Sequence, residues 1–218
     1  MQADAVTLLC PLEYEAGFLR RSGFKDVMVT GPGAARITAA LEKVNPDKPA
    51  VLAGLAGALV EDPPPVVLPE VIVDMNGNRY PTTFRFPCAC VPDGPCLGYD
   101  ELVITPAQRK ELHEKTGAAY VDMESHAFAA ACSKKGIPFA VIRAISDDPQ
   151  HPRQKLLGKS ENWTGENGEL RTGKLLADLL KQPSLLPDML AVRKTTKRNM
   201  SAAIALLNDL LRYGRTTR

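Results

Sequence analysis

Along the chain, short apolar runs alternate with stretches whose apolar positions recur every three or four residues. Val6 to Leu9 is a largely apolar run closed by Pro11, and Leu12, Ala16 and Leu19 then follow at helical spacing. Lys25 to Thr30 reads as a second strand, Gly31-Pro32-Gly33 as a break, and Ala34 to Lys43 as a helix. Ala50 to Ala53 is a third strand leading into Gly54-Leu55-Ala56-Gly57. This alternation predicts a buried, largely parallel sheet between helices. Pro63-Pro64-Pro65 opens a middle segment, Glu61 to Tyr99, that reads as loops and edge strands at Val66–Leu68, Val71–Asp74 and Asn78–Phe86.

Order resumes at Leu102–Thr105, with a helix from Pro106 to Lys115, a strand over Ala118–Val121 and a helix over Met123–Lys134. Gly136–Pro138 is a turn and Phe139–Ile145 the most strand-like run. A polar loop is expected from Asp148 to Gly168. Two helices follow, with apolar periodicity in Leu175–Leu180 and Leu185–Leu211 broken at Pro187. The expected fold class is α/β, a three-layer αβα sandwich around a mostly parallel mixed sheet with a helical C-terminus. Residues 1–218 read as one domain, 183–218 forming its C-terminal helical segment.

With 44% hydrophobic and 24% charged residues over 218 positions, the composition suits a folded chain rather than a disordered one. The longest apolar stretch, Ala50 to Val60, is about half of a membrane span. No basic-then-apolar leader opens the sequence, so a cytoplasmic protein is expected. The balance of 27 basic against 25 acidic residues gives no argument for nucleic acid. From Asp188 onward, though, seven basic residues face two acidic ones, enough to consider peripheral contact with an anionic membrane. Five cysteines are an odd number for a disulfide framework. Cys88, Cys90 and Cys96 lack paired CxxC spacing and a nearby histidine, so free loop thiols are expected and no metal.

Candidate chemistry gathers at strand ends, where open α/β sheets place their ligand crevice. Glu13 and Glu15 follow the first strand, Asp122 and Glu124 follow Ala118–Val121, and Asp147 and Asp148 follow Phe139–Ile145. Each alone reads as easily as a solvated carboxylate, and Asp122 as a helix N-cap. Three such sites converging on one sheet edge suit acid–base work on a polar small molecule. Cleaving a ribosyl bond to a purine asks for this set: an acid for the leaving base, a carboxylate for the ribose hydroxyls, and a base if water attacks.

Val121-Asp122-Met123-Glu124-Ser125, Gly136-Ile137-Pro138-Phe139 and Val141-Ile142-Arg143-Ala144-Ile145-Ser146-Asp147 resemble motifs of the nucleoside phosphorylase and nucleosidase superfamily. The most similar members are the methylthioadenosine/adenosylhomocysteine nucleosidases and the hopanoid-associated nucleoside phosphorylases. The resemblance spans most of Ala5 to Asp148. It implies Glu124 on the 2′- and 3′-hydroxyls, Met123 against the sugar, Asp147 as general acid at purine N7 with Ser146 beside it in the substrate site, and Glu15 as activator of water. Thr30-Gly31-Pro32-Gly33 and Ala53-Gly54-Leu55-Ala56-Gly57 resemble two glycine turns. They imply backbone approach to the nucleophile at Gly31 and Gly33 and to the ribose at Gly54 and Gly57. Substrate would be a small nucleoside, with no cofactor and a homodimer as the assembly.

Three departures are visible. A family hairpin is missing between Arg21 and Lys25, Leu55 stands where a serine is usual, and no Ser-Gly-Asp-x-Phe segment lies near Thr105. Together with Asp122-Met123-Glu124-Ser125-His126 and the leucine-rich tail, they resemble the hopanoid-associated branch, which implies phosphorolysis of an adenosylhopane-like nucleoside with phosphate as co-substrate. Arg36, after the first glycine turn, is the candidate phosphate ligand; Glu15 argues instead for water and the hydrolytic alternative. Arg143, inside an apolar strand, is expected to pair with Glu124 or Asp147. His126 lies off the Glu124 helix face and reads as non-catalytic. Two other classes stay open: a dinucleotide-binding module, since Gly31-Pro32-Gly33 imitates the start of Gly-x-Gly-x-x-Gly, and a purine-nucleoside sensor without turnover.

Overall fold

A computed structural model of the chain describes residues 5–84, 94–151 and 154–213. It opens as the apolar pattern predicts, with β1 (Thr7–Cys10), α1 (Glu13–Arg21), β2 (Val27–Val29), α2 (Ala34–Leu41) and β3 (Ala50–Ala58). β1 lies parallel between β2 and β3. Short strands follow: β4 (Val66–Val67), β5 (Val71–Val73), β6 (Arg79–Pro81), β7 (Cys96–Gly98) and, after α3 (Pro106–Thr116), β8 (Tyr120–Asp122). β8 crosses the tip of β3 antiparallel, joining the β7-β5-β6 wing to the sheet. Beyond α4 (Ser125–Lys135), β9 (Phe139–Asp147) runs parallel to β3 along its whole length. α5 (Gln154–Trp163), α6 (Thr172–Lys181) and α7 (Leu186–Tyr213) close the chain.

Pleat alternation sorts the central strands into two apolar faces. Leu8, Val51, Ala53, Ile142 and Ala144 pack with Ala16 and Leu19 of α1 and Met200, Ala203, Ile204 and Leu207 of α7. Leu9, Leu52, Phe139 and Val141 pack the other way, on Ile37 and Leu41 of α2 and Phe128, Ala129 and Cys132 of α4. That is the expected three-layer arrangement. β9 is buried on both sides, which is why its sequence reads as a nearly continuous apolar run.

Several elements differ from the sequence reading. β7 was hidden by its brevity; its Cys96 is a fully buried strand residue, not a loop thiol, whereas Cys88 and Cys90 lie outside the described residues. Leu102–Thr105 is not a strand. Its Thr105 instead caps α3, accepting the N–H of Gln108 at 3.2 Å. The expected polar loop after Asp148 contains α5. Pro187 does not break the last helix: it sits in the first turn of α7, where a missing N–H costs nothing. The apolar side of α7 is turned to the sheet, and among the described residues no helix is long and apolar enough to cross a membrane.

Leu207 of α7 is fully buried against that face of the sheet. Leu207→Ala should lower unfolding stability by about 2–5 kcal/mol in urea denaturation, through lost burial plus the cavity left behind.

Candidate active site

Two guanidinium groups lie almost wholly inside the protein, Arg143 at 0% and Arg109 at 1% exposure. Each has room because β3 carries a glycine beside it. A Cβ on Gly54 would come within 2.6 Å of Arg143 Nη1, and a Cβ on Gly57 within 3.2 Å of Arg109 Nη1. The glycines expected to admit substrate to the backbone therefore also make sockets for arginines.

Arg143 holds the carboxylates that follow β8. Its Nε donates to Asp122 Oδ2 at 2.8 Å, its Nη2 donates to Ser125 Oγ at 3.2 Å, and Glu124 Oε2 lies 3.9 Å from Nη2. The expected pairing was with Glu124 or Asp147; Asp122 takes it instead, Glu124 is secondary, and Asp147 is not a partner. A shift of register explains this. Arg143 lies opposite Gly54 and Ile145 opposite Ala56, but Asp147 lies opposite Gly57, so the strand bulges at Ser146 and Asp147 leaves the phase of Arg143. Asp122 also accepts the N–H groups of Glu124 and Ser125 at 2.9 and 2.7 Å, but it is not the expected N-cap: α4 starts later, at Ser125, and Glu124 holds that position.

Arg109, which sequence reasoning missed, binds Asp147 directly; its Nη1 donates to the carbonyl of Ala58 at 2.6 Å and its Nη2 to that of Val103 at 3.2 Å. Ser146 Oγ donates to the other oxygen of Asp147. The one signal for Arg109 was its place three residues before Leu112, the other buried residue of an otherwise polar helix.

Glu15 is buried at the third position of α1. Its Oε2 accepts the N–H of Leu12 at 3.1 Å, half of a capping box, and its Oε1 accepts the N–H of Leu55 at 2.8 Å. Leu55, in the place of the usual serine, thus contributes its backbone. Glu124 Oε1 accepts the N–H of Gly33 at 2.8 Å. Glu15, Asp122 and Glu124 share the field of Arg143. Burial, and then the charge of Asp122, push Glu124 up to about 7; burial raises Glu15 as well, against the pull of Arg143.

Glu15, Gly33, Gly57, Met123, Glu124, Ser146 and Asp147 line one cavity of about 460 Å³, a size that suits a small ligand. Leu102, Val103 and Leu157 give it apolar walls, and among the described residues none that lines it is aromatic. Gly54 lies beneath, against Arg143 and Glu15. Gly31 and Arg36 are not brought to it: Arg36 Nη2 pairs with Glu166 at 3.1 Å at the surface, drawn by a carboxylate the sequence reading left in a loop. The N–H of Gly33 is given to Glu124 and so is not free for a dinucleotide phosphate. Trp163 is buried and donates to Asp178 at 2.9 Å, an anchor outside the cavity. His126, half-buried, sits 3.3 Å from Asp100, away from the site. Among the described residues, no group of three His, Cys, Asp or Glu side chains could hold a metal.

Comparison with known proteins agrees with this frame. The sequence model of the Phosphorylase superfamily matches residues 88–181. The 5′-methylthioadenosine/S-adenosylhomocysteine nucleosidase of Shewanella halifaxensis (strain HAW-EB4) is 25% identical over 188 residues, covering 68% of this chain and 78% of that one. The Helicobacter pylori 5′-methylthioadenosine/S-adenosylhomocysteine nucleosidase, solved with butyl-thio-DADMe-Immucillin-A, superposes with a TM-score of 0.64 at 14% identity, over 94% of this chain and 96% of that one. A futalosine hydrolase mutant from Helicobacter pylori gives 0.58 at 15% identity, over 81% and 98%. Over these stretches the chain is similar to members of the nucleoside phosphorylase and nucleosidase superfamily.

Glu124 gives the site a pH signature. The folded state keeps a proton on Glu124 up to about pH 7, whereas the unfolded chain releases it near the ordinary glutamate value of 4.5, so Glu124 makes stability fall as pH rises across that window. Urea denaturation at pH 5 and pH 8 should show a loss on the order of 3 kcal/mol from this group. Glu124→Gln should flatten it.

Proposed function

We propose that the chain is a hydrolytic purine nucleosidase that breaks the N-glycosidic bond of adenosine derivatives substituted at the 5′ carbon. The observation that carries the reading is the convergence of Glu15, Glu124 and Asp147 on one cavity where Arg109 is committed to Asp147 and Gly33 N–H to Glu124, with Arg36 paired to Glu166 outside it. A phosphate would meet buried carboxylates there and no free guanidinium at the turn. Water would not be repelled, and a cationic sugar would be favoured. The nucleosidase relatives support water over the phosphorolysis of an adenosylhopane-like substrate that the departures in sequence suggested.

In this mechanism Glu124 accepts hydrogen bonds from the 2′- and 3′-hydroxyls while Met123 packs against the sugar. Asp147, oriented by Arg109 and Ser146, gives a proton to N7 of the base. The C1′–N9 bond breaks with its electron pair on the purine, leaving an oxocarbenium-like ribosyl group. Glu15, held by the N–H groups of Leu12 and Leu55, takes a proton from water as its oxygen bonds C1′. Arg143 supports Asp122 and Glu124 without touching substrate. No cofactor enters these steps. A homodimer remains an expectation of the resemblance and a peripheral membrane contact one of the basic C-terminal segment, and the chemistry requires neither.

Incubation with adenosine, 5′-methylthioadenosine and a 5′-lipid adenosine, each with and without phosphate, tests the reading. Free adenine is expected at equal rates in both conditions. Release that depends on phosphate would overturn hydrolysis in favour of phosphorolysis, and binding without release would leave a sensor. Asp147→Asn should lower kcat by roughly a hundred- to ten-thousandfold with little change in KM.

A further inference from the structure

A proline decides how the end of β9 is held. Val66 pairs with Ala144 and Val67 with Arg143, so the antiparallel register of β4 continues to Pro65 opposite Ile145. The N–H of Ile145 donates to the carbonyl of Pro65 at 3.0 Å, which marks the two as a hydrogen-bonded pair. Such a pair exchanges two bonds, but proline has no N–H to return. The carbonyl of Ile145 is thus left without its ladder donor, one residue before the bulge at Ser146.

The last helix supplies that donor. Asn199 Nδ2 donates to the Ile145 carbonyl at 2.7 Å, in the protein interior. The side chain reaches it because Thr196, Asn199, Met200 and Ala203 recur at helical spacing on the buried face of α7. Arg198 Nε donates to Asn199 Oδ1 at 3.0 Å; a guanidinium only donates, so the amide nitrogen is the atom turned to Ile145. On the β3 side of the bulge, Ser146 Oγ lies 3.2 Å from the carbonyl of Ala56. Behind the segment is a cavity of about 570 Å³, lined by Ser146, Asp147, Asp148, Arg198 and Asn199 among others. There the strand end borders open space rather than packed side chains, so its path rests on these hydrogen bonds.

We propose that Asn199 is a positioning residue for the reaction: by holding the Ile145 carbonyl it fixes the bulge, and the bulge keeps Asp147 on Arg109 and out of phase with Arg143. Without the bond a buried carbonyl is unpaired, and the strand end relaxes to recover a partner. Asp147 then leaves the place from which it protonates the base. The proposal rests on the nucleosidase reading above for what Asp147 does, though not for where it is held.

The test is a double-mutant cycle with 5′-methylthioadenosine as substrate. Asn199→Ala should lower kcat roughly ten- to a hundredfold with little change in KM. In the Asp147→Asn background the same substitution should cost less than about twofold, because the group it acts through is already gone. Pro65→Ala returns an N–H opposite Ile145 and should recover part of the loss in Asn199→Ala. Thermal melting checks that each variant is folded. Equal losses in both backgrounds, an unchanged kcat in Asn199→Ala, or no recovery from Pro65→Ala would overturn the proposal. If wild-type protein releases adenine from no nucleoside, the nucleosidase reading fails instead, and the Asn199→Ala and Asp147→Asn cycle is read from urea midpoints. A combined loss smaller than the sum of the two then upholds the positioning, and an additive one overturns it.

Discussion

A guanidinium in the interior is tolerable only if carboxylates and carbonyls meet it, and the candidate site is organised around that requirement. Arg143 sits under Gly54 and draws Asp122 and Glu124 to one end of β3. Remove it, and the carboxyl groups that share its field would have no counter-charge. The surplus of acid over base here is also why Glu124 keeps its proton towards neutrality. Burial and charge excess act in the same direction, and the hydrogen bond from Gly33 only partly opposes them.

The sheet supplies the precision. β3 and β9 are the longest strands, paired in parallel along their length, so the residues at their ends are fixed by two layers of helices. β8 then crosses the tip of β3, bringing Asp122 and Glu124 from a different part of the chain to the same place. Glu15 arrives by a third route, through the capping of a helix. Three independent local reasons therefore converge on one cavity, and none of them needs a ligand to hold its carboxylate in position.

Much of this was legible in the sequence. Strand-end carboxylates at Glu15, Glu124 and Asp147 were visible because apolar runs mark the strands, and the residue after a run is placed with it. Arg109 was not, because it sits in Pro106–Thr116 among Gln108, Lys110 and Glu111, and in such a helix a buried arginine reads like an exposed one. Its partner, Asp147, is 38 residues away, a separation that no local pattern reports. α5 was lost for a similar reason: Gly158, Lys159, Ser160 and Glu161 dilute its apolar signal, and its buried Leu156 and Trp163 pack on Leu185 of the following turn rather than on the main sheet. The pairing of Arg143 with Asp147 failed on geometry, since alternation counted from one to the other assumes a regular strand.

That irregularity divides labour within the molecule. Gly54 and Gly57, three residues apart on β3, put the two arginine sockets on opposite pleat phases, and the extra residue at Ser146 turns Asp147 to the second, so the part proposed to grip a sugar and the part proposed to meet a leaving group hang from separate supports. Change at one can accumulate without unsettling the other. A lineage built on this backbone could trade one nucleobase for another while its hold on the pentose stayed as it was.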